Sequence, residues 1–332
     1  MARKQPIYDM GPFKSSTRNT DTQLNVYVSN KRFKIDIFTS SFKSSSALLA
    51  EYLRHVQRQE PEWIPDESEV NVDGEFEDPL DEMHDWILQP FLPIFNEISP
   101  LDPSQKYTLE DCLFAEEFHY TVQIVGDKLV PVYLSNTKNV KHHLIGARLP
   151  SSVDYSAFPV YHPREVQVPI SADSAALPGV PRKIVYGGDM GITAREILTY
   201  SRIRLAKFDP PILTSQLEGL VQDDDGYVMG LALSYINCDG ATLNCIDGRD
   251  PKFFELRQKW VDQISHALEN FHSHGIIWGD AKAANVLIDA NEDAYLIDFG
   301  GGYTKGWVEK EKSNSIEGDL QGLENIKRYL FE

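Results

Sequence analysis

The chain has 332 residues, of which 42% are hydrophobic, which is enough for one large packed core or for two domains. Its net charge of -18 argues against a general nucleic-acid surface or a surface for anionic membranes. No apolar run reaches the roughly 18 residues of a membrane span, and no apolar stretch follows the basic start, so we expect a cytoplasmic protein without a secretory signal.

The N-terminal part predicts a polar arm followed by strands and helices. Residues 1–22 are rich in Ser, Thr, Lys and Arg, and we expect them to form a flexible arm. Alternating apolar residues predict a hairpin over 24–37, and a serine-initiated apolar pattern predicts a helix over 44–58. A second helical pattern covers 80–98, where two prolines are expected to disrupt the second half.

Most of the net negative charge lies between residues 61 and 120, a stretch that we interpret as a solvated loop. A hairpin is predicted over 117–134, and it completes an N-terminal α+β extension of residues 23–135. Residues 136–180 have weak periodicity, and we expect irregular connections with a strand near 165–169. The three cysteines, Cys112, Cys238 and Cys245, lack the spacing of a zinc site or of a disulfide framework.

From residue 182 the predicted order of elements becomes strand, helix, strand, helix, loop, strand pair and helix. The predicted elements are a helix over 193–206, a strand over 226–236, an amphipathic helix over 251–273, two strands on either side of Asp289 to Asp293, and a helix over 316–330. A hinge is expected near 236–240. We treat residues 136–332 as one compact domain.

Four polar side chains stand close together after the amphipathic helix. Asp280, Lys282 and Asn285 have the spacing Asp-x-Lys-x-x-Asn, and Asp298 begins an Asp-Phe-Gly triplet after the strand pair. This order resembles the catalytic loop and the metal-binding triplet of the protein-kinase-like superfamily, usually His-Arg-Asp-x-Lys-x-x-Asn and Asp-Phe-Gly. In this chain Trp278 and Gly279 stand where the His and Arg are usual.

The resemblance implies a bilobal kinase-like α+β fold and an ATP- and Mg²⁺-dependent phosphotransferase. Asp280 would orient and deprotonate the acceptor, and Lys282 would lie against the transferred phosphate. Asn285 and Asp298 would hold magnesium through oxygen atoms, the ligands that this hard cation prefers.

Further residues enter through the same resemblance. Glu196 resembles the helix glutamate that pairs with the phosphate-holding lysine, for which Lys183 is the candidate. Asp319 resembles the aspartate that accepts backbone hydrogen bonds from the catalytic loop. Surface roles for Lys183 and Glu196, and a helix-terminus role for Asp319, are the alternatives.

Several features depart from the family pattern. No Gly-x-Gly-x-x-Gly-x-Val loop is present, and no Ala-Pro-Glu triplet follows Gly300, which implies a shortened helical lobe. The stretches around Asp85-Trp86 and Thr108-Leu-Glu-Asp resemble those of uncharacterised fungal kinase-like proteins.

Three functions therefore stay open. The first is phosphoryl transfer to an unidentified acceptor, a small molecule or a protein. The second is a pseudokinase that binds or scaffolds, and the third is a kinase-like scaffold redirected to nucleotidyl or aminoacyl transfer.

Overall fold

The computed structural model describes residues 8–16, 18–59, 78–137, 146–170, 174–177, 190–238, 241–247 and 250–332. The strands are β1 (Asp9–Met10), β2 (Lys14–Ser15), β3 (Thr22–Val28), β4 (Lys31–Ile37), β5 (Tyr107–Thr108), β6 (Glu116–Val125), β7 (Lys128–Thr137), β8 (Val160–Tyr161), β9 (Gln167–Val168), β10 (Leu217–Gln222), β11 (Val228–Leu233), β12 (Val286–Ile288) and β13 (Ala294–Leu296). The α-helices are α1 (Ser46–Gln57), α2 (Pro79–Leu88), α3 (Leu92–Asn96), α4 (Leu109–Leu113), α5 (Met190–Ala206), α6 (Phe254–Ser273) and α7 (Ile316–Phe331). The predicted mixed α+β class is confirmed.

Packing divides the chain into two compact units. Unit 1 comprises residues 1–141 and 164–181, and unit 2 comprises residues 142–163 and 182–332. The expected boundary near residue 135 differs from this division, because the region after it contributes to both units. Within unit 1, β9 pairs with β5, and within unit 2, β8 pairs with β10.

A mixed sheet forms the centre of unit 1. Its strand order is β1-β3-β4-β6-β7, with β2 also paired to β3, and β4 and β6 are parallel. The hairpin β3–β4 turns at Ser29 and Asn30, as predicted. The pairing of β1 and β2 with β3 differs from the expected flexible arm, because the backbone groups of these short strands find partners along an open strand edge.

Helices α1 to α3 cover the apolar face of this sheet. Ser45 caps α1 by accepting a hydrogen bond from Leu48 N, and Asp78 caps α2 by accepting one from Leu80 N. The helix predicted over 80–98 is divided into α2 and α3 by a 3₁₀ turn that contains Pro90, as expected for a residue without a backbone N–H.

Two histidines are buried in the α1–α2 region. His55 contacts the ring of Trp86, and His84 contacts the ring of Phe13. Both nitrogens of His84 and Nδ1 of His55 have no hydrogen-bond partner within the described residues. Burial lowers the pKa of both imidazoles; the positive charge of Arg54 lowers that of His55 further.

One apolar core organises unit 2. It combines residues of α5, the β10–β11 hairpin, α6 and α7, and its largest fully buried members include Trp260, Trp278, Tyr200, Phe271 and Phe299. The amphipathic pattern of α6 was predicted correctly, because Trp260, Ile264, Leu268 and Phe271 are all buried. No helix in the described part of the chain is both long and apolar enough to cross a membrane.

Candidate active site

The site begins where α6 ends. The backbone N–H of Gly275 donates to His272 O, and Gly275 has a φ of +67°, the left-handed conformation that commonly terminates a helix. Ile276 N then donates back to Phe271 O over 2.9 Å. The chain therefore leaves α6 in a defined direction and enters the loop that contains Trp278 to Asn285.

Asp319 holds the start of this loop. Its carboxylate accepts hydrogen bonds from Trp278 N over 2.9 Å and from Gly279 N over 2.8 Å. It also bonds to His272 Nε2 over 2.9 Å and is only 1% exposed. Asp319 lies in the first turn of α7, which Ser315 caps by accepting a hydrogen bond from Gly318 N. The expected acceptance of backbone hydrogen bonds from the loop by Asp319 is present.

Close backbone approaches fix the position of the loop against α7. A Cβ atom at Gly322 would overlap the Cβ and carbonyl oxygen of Ala281, so the helix and the loop touch where neither has space for a larger residue. Gly279 has a φ of +93°, and a Cβ there would meet Gly301 Cα at 3.0 Å. Glycine at 279 thus permits a backbone contact that a larger residue would prevent.

The carboxylate of Asp280 is the centre of a polar network. Its Oδ2 lies 2.5 Å from Lys282 Nζ and accepts a longer hydrogen bond, 3.3 Å, from Asn285 Nδ2. Its Oδ1 accepts a hydrogen bond from Thr304 Oγ1 over 3.1 Å. Lys282 Nζ also donates to Thr304 Oγ1 over 2.9 Å, so the ammonium, carboxylate and hydroxyl hold one another in place.

Asn285 connects this network to the strand that leads to Asp298. Its Nδ2 donates to the backbone oxygen of Asp280 over 2.9 Å, which directs the amide oxygen away from that carbonyl. Its own backbone oxygen accepts from Ile297 N over 3.0 Å. The carbonyl of Ile297 in turn accepts from the indole Nε1 of Trp278 over 2.8 Å. Ile297 is therefore held at both its N–H and its carbonyl, directly before Asp298.

Asp298 follows with a left-handed backbone. Its φ is +65°, a conformation that Asp adopts more readily than most residues with a side chain, and its Oδ1 accepts from Gly300 N over 3.3 Å. The next side chain, Phe299, is fully buried, with ring contacts to Tyr200 at 5.2 Å and Phe271 at 5.6 Å. Phe299 thereby ties the Asp298 backbone to α5 and α6.

Glu196 of α5 is brought to the same region. It is 3% exposed. Burial raises the pKa of the nearby Tyr200 hydroxyl, and the negative charges of Glu196 and Asp298 raise it further. That hydroxyl hydrogen-bonds to Ser215 Oγ over 2.6 Å. Glu196 and Asp298 therefore both lie within electrostatic range of one buried phenol.

Asp280, Lys282 and Asn285 thus lie within hydrogen-bonding distance in one network. Asp298 is positioned next to it because its neighbour Ile297 is hydrogen-bonded to the backbone of Asn285. Lys183, the candidate partner of Glu196, lies outside the described residues, as do residues 239–240 of the expected hinge. Thr304 and the indole of Trp278 are the contributors that the motif-based reasoning missed. Thr304 follows the Asp-Phe-Gly triplet without any pattern of its own, and Trp278 was seen only as a departure from the usual His.

The donor set fits a magnesium ion and a nucleotide phosphate. Asp298 supplies a carboxylate, and Asn285 supplies an amide oxygen left available by the orientation of its Nδ2. Oxygen ligands from one or two side chains, completed by substrate phosphates, are the usual environment of Mg²⁺ in phosphoryl-transfer sites.

Comparison with known proteins agrees with this geometry. Residues 215–321 match the family model described as the protein kinase domain. A probable serine/threonine-protein kinase of Arabidopsis thaliana is 34% identical over 108 residues, which are 32% of this chain and 14% of that protein. The serine/threonine-protein kinase OXI1 of Arabidopsis thaliana is 33% identical over 98 residues, 29% of this chain and 22% of that protein.

A third relative is the protein kinase C epsilon type of Oryctolagus cuniculus, which is 33% identical over 113 residues, 34% of this chain and 14% of that protein. In all three cases the aligned segment covers less than a quarter of the relative's length. The family match includes Asp280, Lys282, Asn285, Asp298 and Asp319, and it begins after Glu196 and α5.

Proposed function

We propose that this chain is an ATP- and Mg²⁺-dependent phosphotransferase, and the match of residues 215–321 to the protein kinase domain supports the proposal. One observation carries the proposal: the Asp280 carboxylate is held by Lys282, Asn285 and Thr304 within a single loop network. A carboxylate oriented by several donors, with a cation beside it, is the arrangement that phosphoryl transfer requires.

In this proposal each residue has one task. Within the described residues Asp280 Oδ1 accepts a single side-chain hydrogen bond, so it keeps a lone pair for the proton of an acceptor hydroxyl. The acceptor oxygen forms a bond to the γ-phosphorus of ATP, the bond to the ADP oxygen breaks, and the proton passes to Asp280. Lys282 neutralises negative charge on the transferred group.

The magnesium and nucleotide sites belong to the same proposal. Asn285 and Asp298 would hold Mg²⁺, which supplies charge neutralisation at the β- and γ-phosphates when it is bound. Glu196 would orient a lysine that contacts the phosphates, and Lys183 remains the candidate for that lysine. The clamped backbone of Ile297 supports this assignment, because it fixes the position of Asp298 relative to Asn285.

We propose a small hydroxyl compound as the acceptor. The connection between Asp298 and α7, residues 299–315, contains no α-helix. Its residue Gly302 lies beside Asp280, where a Cβ atom would be in ordinary contact with Oδ2 at 3.5 Å, so residue 302 adds no side chain over the carboxylate. A connection without an α-helix also provides little surface for docking a folded protein substrate.

The test is ATP turnover by the full chain with and without Mg²⁺, with mass spectrometry of products from a panel of small hydroxyl compounds. We expect Mg²⁺-dependent turnover that Asp298→Asn and Asp280→Asn each abolish. Asp262→Asn is the matched control, because Asp262 is exposed on α6 and its side chain bonds only to Gln258 within the described residues. Nucleotide binding without turnover would instead support a pseudokinase, and an added adenylate or a new amide would support the redirected group transfer.

A further inference from the structure

A groove lies in unit 2 between α5 and the loop segment 277–279. Its volume is about 400 Å³, which is within the range of sites for small ligands. Arg195, Leu198 and Arg202 line it from α5, and Trp278 and Asn314 line it from the opposite side. Asp280, Lys282, Asn285 and Asp298 do not line the groove, although Trp278 and Gly279, whose backbone Asp319 holds, do.

The α5 side of the groove is positively charged. Arg195 and Arg202 are seven residues apart, which places them on the same helix face two turns from each other. Both are exposed, and neither forms an ion pair within the described part of the chain. The chain as a whole carries a net charge of -18. Two guanidinium groups without carboxylate partners among the described residues differ from this overall negative charge, and they complement a negatively charged ligand.

Polar groups converge at the Arg195 end of the groove. A Cβ atom at Gly301 would overlap Asn314 Oδ1 and would also contact the Arg195 guanidinium, so both groups lie directly over this glycine. Asn314 Oδ1 is buried and has no hydrogen-bond partner within the described residues. The absence of a side chain at 301 keeps the space beside these two groups open. A ligand with an acidic group and an adjacent N–H donor would complement both.

The rest of the groove is apolar. Leu198 is 39% exposed and stands between Arg195 and Arg202 on α5. Ile277 and Trp278 line the groove across from it, and of these two only Ile277 is partly exposed, since Trp278 is fully buried. Apolar surface beside cations that have no partner among the described residues is suited to a ligand with an apolar body and one anionic end, because each part gains a matching contact.

We propose that this groove binds a small apolar carboxylic acid, with its carboxylate on Arg195 and its apolar body against Leu198 and Ile277. The two arginines of α5 favour an acidic group on the ligand, and the apolar lining favours an apolar body. This proposal does not depend on phosphoryl transfer, since none of Asp280, Lys282, Asn285 and Asp298 lines the groove.

The experiment uses the full chain labelled with ¹⁵N-tryptophan and titrated with N-acetyl-L-phenylalanine, observed by NMR. The indole signal of Trp278 is identified by its loss in Trp278→Phe. We expect a saturable shift of this signal. The uncharged amide of the same compound should produce at least about tenfold weaker binding, because it cannot form a charge-assisted pair with Arg195.

Two variants complete the test. Arg195→Ala should weaken binding by about tenfold or more. Arg204→Ala is the matched control, because Arg204 is on the same helix but lies over the Phe158 ring and does not line the groove, and it should bind as the wild type does. Absence of a saturable shift, equal binding of acid and amide, or equal loss in the two variants would overturn the proposal. None of these results would bear on ATP turnover.

Discussion

Replacing Asp319 by alanine tests whether the candidate loop depends on α7. The substitution removes the acceptor of two backbone N–H groups, those of Trp278 and Gly279, in a site where Asp319 is 1% exposed. Each buried donor left without a partner costs about 1–3 kcal/mol, which gives about 2–6 kcal/mol for the pair. Removing a buried carboxylate also removes its desolvation penalty, so we expect the lower half of this range, about 2–4 kcal/mol.

The assay is urea unfolding followed by tryptophan fluorescence, since unit 2 contains Trp260 and Trp278 in its core. With a slope of about 2 kcal/mol/M, the expected loss moves the transition of unit 2 by roughly 1–2 M urea. Glu317→Ala is the matched control: Glu317 is in the same helical turn, its side chain is 72% exposed, and it forms an ion pair with Lys312 at 3.5 Å. An exposed pair of this kind contributes about 0–1 kcal/mol. If Asp319→Ala loses no more stability than Glu317→Ala, the bracing role is wrong.

Three further predictions concern other contacts. Thr304→Val should lower turnover by about 10- to 100-fold with little change in melting temperature, because it removes hydrogen bonds to two charged groups. Thr304→Ser keeps the hydroxyl and should retain activity. Equal activity of the two variants would contradict a role for the Thr304 hydroxyl. Gly322→Ala should destabilise unit 2 by about 1–3 kcal/mol in chemical denaturation, because the new Cβ overlaps Ala281. This loss is expected even though alanine is the better helix former by about 1 kcal/mol. A stabilised variant would show that the loop moves to accommodate the Cβ without cost. Unit 1 should lose stability as the pH falls below about 6.5. Burial lowers the pKa of His55 and His84 in the folded state, so in this pH range the unfolded chain binds more protons than the folded one. His84→Phe should flatten this dependence between pH 7.5 and 5.5, and an unchanged slope would refute the role of His84.

The sequence predicted elements best where a local rule determined the structure. The α6 pattern, the β3–β4 hairpin and the disruption by proline between α2 and α3 each follow from spacing or from one residue type. The short strands β1 and β2 were not predicted, because two-residue strands carry no period, whereas the strand expected near 165–169 corresponds to β9. The positions of β1 and β2 depend on their pairing with β3.

The same distinction applies to the site. Asp280, Lys282 and Asn285 are recognisable because they are close in sequence and their chemistry requires that spacing. Thr304 had no such signal, although it contacts both Asp280 and Lys282. Its contribution depends on the path of the chain after Gly300, where the short connection to α7 brings its hydroxyl back to the loop. Tertiary geometry of this kind has no local pattern that could predict it.

Trp278 shows how a departure from a family pattern can acquire a structural reason. Its backbone N–H is held by Asp319, and its indole N–H holds the carbonyl of Ile297. Ile297 also donates to the carbonyl of Asn285. One hydrogen-bonded route from α7 to both proposed magnesium ligands therefore passes through this tryptophan, whose side chain is fully buried. The indole supplies an N–H donor to Ile297 while also filling the core. The substitution is thus compatible with an ordered site.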